Sequence, residues 1–141
     1  IMKTSNVGKK IISYFSDKNN KLINEFKNKQ KVISENEKSL ISQKNILQAE
    51  EYSKKVAQIN EDIKNFNQDH NKKIKQIKDE REQVLKSFQI EINKILKEFA
   101  EQNNIDIIMS SNQMLIGKSN LDVTSKLLKI VNEKIKNFKI N

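Results

Sequence analysis

Apolar residues recur along most of this chain at intervals that alternate between four and three residues. From Tyr52 to Phe66 the intervals are 4, 3, 4 and 3, the spacing of a helix that packs along one narrow stripe. The spacing returns at a second set of positions, which are Leu85, Phe88, Ile92, Ile95 and Phe99. The sequence has no proline, two glycines and a hydrophobic content of 35%, below the roughly 45–50% of a typical globular domain. The pattern therefore predicts long helices rather than an ordinary globular domain.

A first helix is predicted from Gly8 to about Lys44. One column of positions seven residues apart is apolar except at its second member; the column is Ile12, Asn19, Phe26, Ile33, Leu40 and Leu47. A second column is apolar at Phe15 and Leu22 and polar from Lys29 onward. Two apolar columns suit a bundle, whereas one suits only a two-helix contact. The helix is therefore predicted to start in a well-packed region and to continue as one partner of a helical pair.

Residues 43 to 52, QKNILQAEEY, are the predicted reversal between the two helices, although neither glycine nor proline marks it. The alternative is one continuous rod of about 95 residues, which would leave its apolar column exposed to water. Two helices with single columns can cover each other, so the antiparallel hairpin is preferred. Residues 67 to 73, NQDHNKK, interrupt the stripe, and His70 within them is predicted to lie on the surface.

The segment from 105 to 117 departs from the helical pattern. Two short, mostly apolar runs flank Ser110-Ser111-Asn112, which predicts a β-hairpin with a three-residue turn. A helix follows at about 122–138, with Asp122 as its N-cap. An isolated two-stranded hairpin is marginally stable and its edges invite pairing. The hairpin is therefore predicted to be an oligomerisation core made of Ile105, Ile107, Ile108, Met109, Met114, Leu115 and Ile116.

The density of the apolar stripe also divides the chain. It is dense toward both chain ends and sparse in between. This distribution predicts a body of residues 1–26 and 85–141 that mediates oligomerisation, and a coiled-coil tentacle of residues 27–84 with its tip near 43–52.

Two motifs resemble the Skp/OmpH-like family of periplasmic chaperones. SNVGKKI, residues 5–11, resembles the Ser-x-x-Gly-Lys segment that opens the family's first helix. Residues 100–135 are similar to the family's pattern of a helix end, two strands and a last helix. Its markers here are Ile105-Asp106-Ile107, Leu115-Ile116 and Leu121-Asp122-Val123-Thr124. The resemblance implies a mainly α fold with a small β body and an antiparallel helical-hairpin tentacle, assembled as a jellyfish-like homotrimer.

The resemblance also implies a function, that of an ATP-independent holdase binding unfolded outer-membrane proteins in a cavity between tentacles. It implies a periplasmic location, with a signal peptide and then one further β-strand expected upstream of Ile1. The net charge of +9, from 27 Lys and Arg against 18 Asp and Glu, suits acidic clients. The candidate client contacts are Lys54, Lys55, Lys64, Lys72, Lys73, Lys75, Lys78 and Arg81.

Other functions fit the sequence less well. A coiled coil that binds nucleic acid would concentrate its charge on one surface with aromatic stacking, but lysine is spread throughout and there is no Trp. Binding of lipopolysaccharide or an anionic membrane surface stays open, as does a structural spacer. A prefoldin-like role is disfavoured, because the predicted β-hairpin lies near the C-terminus and is followed by a helix. Two isolated glycines form no phosphate-binding loop. A chain without cysteine and with one histidine is not expected to hold a metal or another cofactor, or to be an enzyme.

Overall fold

The computed structural model of the chain describes residues 1–140, and Asn141, the last residue of the predicted body, lies outside them. The chain is mainly helical, as predicted. Its elements, in order, are α1 (Asn6–Ser42), α2 (Ala49–Gln102), two 3-10 turns (Ser111–Gln113 and Ser119–Leu121) and α3 (Thr124–Lys134). Within residues 1–140, no helix combines the length and the apolar character needed to cross a membrane.

The two long helices form the predicted antiparallel hairpin. Tight turns reverse the chain between Ser42 and Ala49. The carbonyl of Gln43 accepts hydrogen bonds from the N–H groups of Ile46 and Leu47, at 2.9 and 3.0 Å. Hydrogen bonds that span three or four residues can tighten the end of a helix without a residue of positive φ. The reversal therefore requires no glycine or proline, which explains why the sequence marks it so weakly.

Helix α1 begins at a serine cap. The Ser5 side chain is fully buried, and its Oγ accepts the N–H of Gly8 at 3.1 Å, as an N-cap does. A Cβ atom on Gly8 would lie 1.9 Å from the carbonyl oxygen of Met2. From α3, Asn132 Oδ1 accepts the N–H of Asn6 at 2.8 Å. The Ser-x-x-Gly spacing thus combines a capping hydroxyl with a position where the preceding backbone leaves no room for a side chain.

The described chain divides into two compact units. We call them the three-helix unit, which is Ile1–Phe15 with the described part of Glu80–Asn141, and the two-helix unit, Ser16–Asp79. The core of the three-helix unit draws on α1, α2 and α3, and its members are Val7, Ile11, Phe15, Val84, Phe88, Ile92, Ile95, Phe99, Leu127 and Val131. The second apolar set predicted from the sequence therefore packs inside one unit, with Val84 buried deeper than Leu85.

The predicted first column of α1 is wrong at its start. Ile12 is 44% exposed, and its neighbour Ile11 is fully buried. Asn19 is exposed as well. In the three-helix unit α1 packs along positions four apart, Val7, Ile11 and Phe15. A three-helix core selects the side of α1 that faces both partners, and a seven-residue repeat cannot reveal which side that is.

The predicted β-hairpin at 105–117 is not confirmed, because residues 1–140 contain no strand. Two residues beyond the end of α2, Asn104 has a left-handed φ of 51°, and the N–H of Ile105 donates to the carbonyl of Ala100 at 2.9 Å. This is a Schellman termination. Ser110 and Met114 beyond it have extended backbone. Two strands with nothing packed on either face bury too little apolar surface to hold a ladder.

Helix α3 starts two residues after the predicted cap. The carboxylate of Asp122 accepts the N–H of Thr124 at 2.9 Å. Hydrogen bonds from the Thr124 hydroxyl and then from its N–H lower the pKa of Asp122. Asp122 therefore binds the first turn of α3 from outside the helix.

Candidate functional site

The predicted oligomerisation residues lie on the segment between α2 and α3. The exposed fraction is 76% for Ile107, 101% for Leu115 and 94% for Ile116. Met109 and Met114 are exposed as well, and Ile105 and Ile108 are half-buried. Monomeric soluble proteins seldom expose so many large apolar side chains in one short run. The segment therefore presents an apolar surface to solvent in the single chain.

Of the eight predicted client contacts, three are paired inside the chain. Lys54 and Lys55 each form a salt bridge with the glutamate four residues earlier, at 2.8 and 3.6 Å. Lys73 belongs to the cluster described next. The other five are exposed and form no salt bridge with any residue from 1 to 140; they are Lys64, Lys72, Lys75, Lys78 and Arg81. Exposed i,i+4 pairs are weak, so the chain itself neutralises little of this charge.

Four charged side chains join α1 to α2 in the two-helix unit. Lys29 Nζ donates to Asp69 Oδ2 at 3.0 Å, and Lys73 Nζ donates to Glu25 Oε1 at 2.6 Å. Lys29 also lies 3.0 Å from Glu25, and Lys73 lies 3.4 Å from Asp69. We call these four residues the ion-pair cluster. Each cation contacts both anions, so the cluster ties the two helices together.

The charges of the cluster stabilise one another. The Lys73 ammonium, and then that of Lys29, lowers the pKa of Glu25. Lys29 likewise lowers the pKa of Asp69. In return Asp69 raises the pKa of Lys29, and Glu25 raises that of Lys73. All four groups therefore stay ionised over a wide range of pH.

Aromatic rings pack beside the ion-pair cluster. The ring of His70 lies 4.6 Å from that of Phe26 and 6.2 Å from that of Phe66. The ammonium groups of Lys29 and Lys73 are 5.3 and 5.4 Å from the Phe26 ring centroid, within cation–π range. His70, predicted to lie on the surface, is half-buried, with its ring packed against two phenylalanines.

Sequence reasoning missed Glu25, Lys29 and Asp69. The sequence did indicate such contacts. Lys29 lies in the second column of α1, on the side of the helix that packs, where a charged side chain needs a partner. Acid and base also recur four residues apart in both helices, at 25 and 29 and at 69 and 73. Such matched pairs indicate ion pairs between helices. The register of α1 against α2, which decides whether the pairs meet, is a tertiary property.

Two open grooves run between α1 and α2 in the two-helix unit. The first has a volume of about 510 Å³. Its apolar lining is Val32, Ile33 and Phe66, and its polar lining includes Asp62 and Asp69. The second, with a volume of about 380 Å³, has an apolar lining made of Leu40, Ile41, Tyr52, Val56 and Ile59. We call them the ion-pair groove and the tyrosine groove. Both are open to a partner.

Comparison with known proteins identifies a family. A family model described as outer membrane protein (OmpH-like) matches residues 1–131, which confirms the resemblance noted in the sequence. Neither the curated proteins nor the solved structures contain a match to the chain. The family match includes α1, α2, the apolar segment and most of α3. The chain therefore belongs to the OmpH-like family.

Proposed function

We propose that the chain is an ATP-independent holdase that binds unfolded outer-membrane proteins in a cavity between the basic tentacles of a homotrimer. The family supports the chaperone role, because OmpH-like proteins are chaperones rather than enzymes. The family also supports action on outer-membrane proteins in the periplasm. In this proposal residues 27–84 form each tentacle, and residues 1–26 and 85–141 form the body.

The observation that carries the proposal is the apolar surface at 105–116. Burial of apolar area is worth about 25 cal/mol per Å², so covering Ile107, Leu115 and Ile116 favours association strongly. The same segment in other copies of the chain can cover this surface. Two extended backbones side by side can form the β-ladder hydrogen bonds that a single chain does not form. We propose that the β-hairpin forms on assembly and that association there leaves the two-helix units free for clients.

The two-helix unit suits a client that must be held without being folded. Residues 16–79 contain 14 lysines against 10 Asp and Glu, and helix surfaces offer many separate weak contacts. Acidic unfolded chains would be attracted from several directions, with no single conformation favoured. Contacts between exposed charges weaken as salt screens them. A holdase of this kind therefore loses affinity as ionic strength rises.

The holdase assay uses a urea-unfolded outer-membrane β-barrel protein diluted into buffer without nucleotide. We expect the chain, at a molar excess of trimer over client, to keep the client soluble at low salt and to lose this effect as salt rises. Labelled DNA duplex and anionic lipid vesicles, tested in parallel, report the nucleic-acid and membrane alternatives. Aggregation of the client at low salt, unchanged by the chain, contradicts the proposal.

The assembly is tested by sedimentation equilibrium. The wild-type chain should sediment as a trimer. Leu115→Lys, which places a charge on the most exposed apolar position, should shift the equilibrium to monomer while the helical circular dichroism is retained. Lys118→Ala, a substitution in the same segment that removes no apolar surface, serves as the control. A monomeric wild-type chain at micromolar concentration would contradict the role proposed for this segment.

A further inference from the structure

All of the sulfur in this chain belongs to methionine. The sequence contains three Met, no Cys and no Trp, so it offers an oxidant neither a thiol nor an indole. The methionine thioether is then the natural target of a peroxide. The three positions are Met2, Met109 and Met114. Two of the three therefore lie in the apolar segment, residues 105–116.

Both methionines of the apolar segment reach solvent in the single chain. Met109 is 53% exposed and Met114 is 37% exposed, whereas Met2 is half-buried. The sulfur of Met114 lies against Gly117, since a Cβ atom on Gly117 would overlap Met114 Sδ. Oxidation of sulfur is faster where the side chain is more accessible. We therefore expect Met109 to react first and Met114 second.

The two methionines occupy opposite faces of the β-hairpin proposed for the assembled chain. Side chains alternate between the two faces of a strand, so Met109 shares one face with Ile107. A turn at residues 110–112 places Ile108 opposite Met114, which puts Met114 on the other face. Whichever face of the hairpin packs against other copies of the chain, one methionine lies on it.

Hydrogen peroxide converts a methionine thioether into a sulfoxide. A lone pair on the sulfur attacks one peroxide oxygen, and the S–O bond forms as the O–O bond breaks. The departing oxygen takes up the proton of the transferred oxygen and leaves as water. Sulfur loses two electrons and the peroxide gains them. The product carries a polar S–O group, and burying that group among apolar side chains without a hydrogen-bond donor costs free energy.

We propose that Met109 and Met114 are oxidation sites through which peroxide controls assembly. Their sulfoxides hold the chain as a monomer, and assembly in turn shields both sulfur atoms. The inference rests on the proposed function and names the regulation of its assembly surface. Oxidation and assembly compete for the same unassembled chain, so conditions that favour assembly slow oxidation. Reductases convert the sulfoxide back to the thioether, so the control is reversible.

The first test uses sedimentation equilibrium on the wild type, on Met2→Leu and on the double variant Met109→Leu/Met114→Leu. Leucine resembles methionine in volume and has no sulfur. Each chain is oxidised with hydrogen peroxide while dilute, treated with catalase, and compared with its own untreated sample; peptide mass spectrometry locates the sulfoxides. Oxidation should raise the concentration needed for assembly about tenfold or more in the wild type and in Met2→Leu. The double variant should show no change on oxidation.

A second measurement needs no substitution. Methionine sulfoxide reductases A and B, which each reduce one epimer of the sulfoxide, should return the oxidised wild type to its assembled state. Circular dichroism checks that the helices persist throughout. Sulfoxide formation at positions 109 and 114 should also slow as the protein concentration rises through the range of assembly. N-acetylmethionine in the same tube gives the reference rate.

The outcomes separate this inference from the proposed function. A wild-type chain that is monomeric before oxidation contradicts the proposed assembly, and the inference falls with it. If the wild type assembles, carries sulfoxide at both positions and sediments as before, the inference is overturned and the proposed function stands. Equal loss of assembly in the oxidised double variant also overturns the inference, because other groups are then responsible.

Discussion

Replacing Ile11 with alanine is expected to destabilise the chain much more than replacing the adjacent Ile12. Ile11 is fully buried in the core of the three-helix unit, whereas Ile12 is 44% exposed. Both residues lie in α1 and both become alanine, so the change in helix propensity is the same and cancels in the comparison. The pair therefore isolates the effect of side-chain burial.

The expected magnitude follows from the buried surface. Removing three carbon atoms at about 0.8 kcal/mol each gives about 2.4 kcal/mol of transfer free energy for Ile11. A cavity term adds to this, and buried Ile→Ala substitutions cost about 2–5 kcal/mol in total. Because Ile12 is partly exposed, about half of that transfer free energy applies to Ile12→Ala, and no closed cavity forms. We therefore expect Ile12→Ala to lower the free energy of unfolding by about 1 kcal/mol. With a urea m-value of about 2 kcal/mol/M, the two midpoints should differ by about 1 M.

The assay is urea unfolding followed by circular dichroism at several protein concentrations. Equal losses for the two variants, independent of concentration, would refute the assignment of Ile11 to the core. A loss for Ile12→Ala that grows with protein concentration has another meaning, because it places Ile12 in a contact between copies of the chain.

Two further predictions concern the end of α2 and the ion-pair cluster. At Asn104, whose φ is 51°, Asn104→Ala should cost about 1 kcal/mol while Asn104→Gly should be tolerated, because only glycine adopts this conformation without steric cost; urea midpoints of the two variants test this. The lowered pKa values of Glu25 and Asp69 mean that their contribution to stability is present above the ordinary carboxyl pKa and is lost as the pH falls through the folded-state pKa. The thermal midpoint of Glu25→Gln should therefore lie below that of the wild type near neutral pH and converge with it in strong acid, and a difference that persists unchanged to low pH would contradict the ionic origin.

Much of the fold follows from local sequence alone. The 4-3 spacing and the scarcity of glycine and proline predict two long helices, because helical periodicity is set by the backbone and needs no tertiary partner. Phe88, Ile92, Ile95 and Phe99, taken from that spacing, are all buried. The exposure of the lysines could also be predicted from the sequence, since charged side chains on long helices remain in water.

Other features depended on what packs against each residue. In the sequence, His70 and Lys73 belong to a polar interruption of the apolar stripe. In the structure His70 packs on Phe26 and Lys73 binds Glu25. These contacts form because the register of α1 against α2 brings the four residues together. The same applies to Ile11 and Ile12, which are adjacent in sequence and differ only in which side of α1 meets the rest of the core. The spacing of apolar residues indicates that a helix has an apolar side. Which side is buried depends on the elements that pack against the helix. The segment 105–117 has the sequence of a hairpin and no strand in the single chain, because a β-ladder requires an apolar face to be covered.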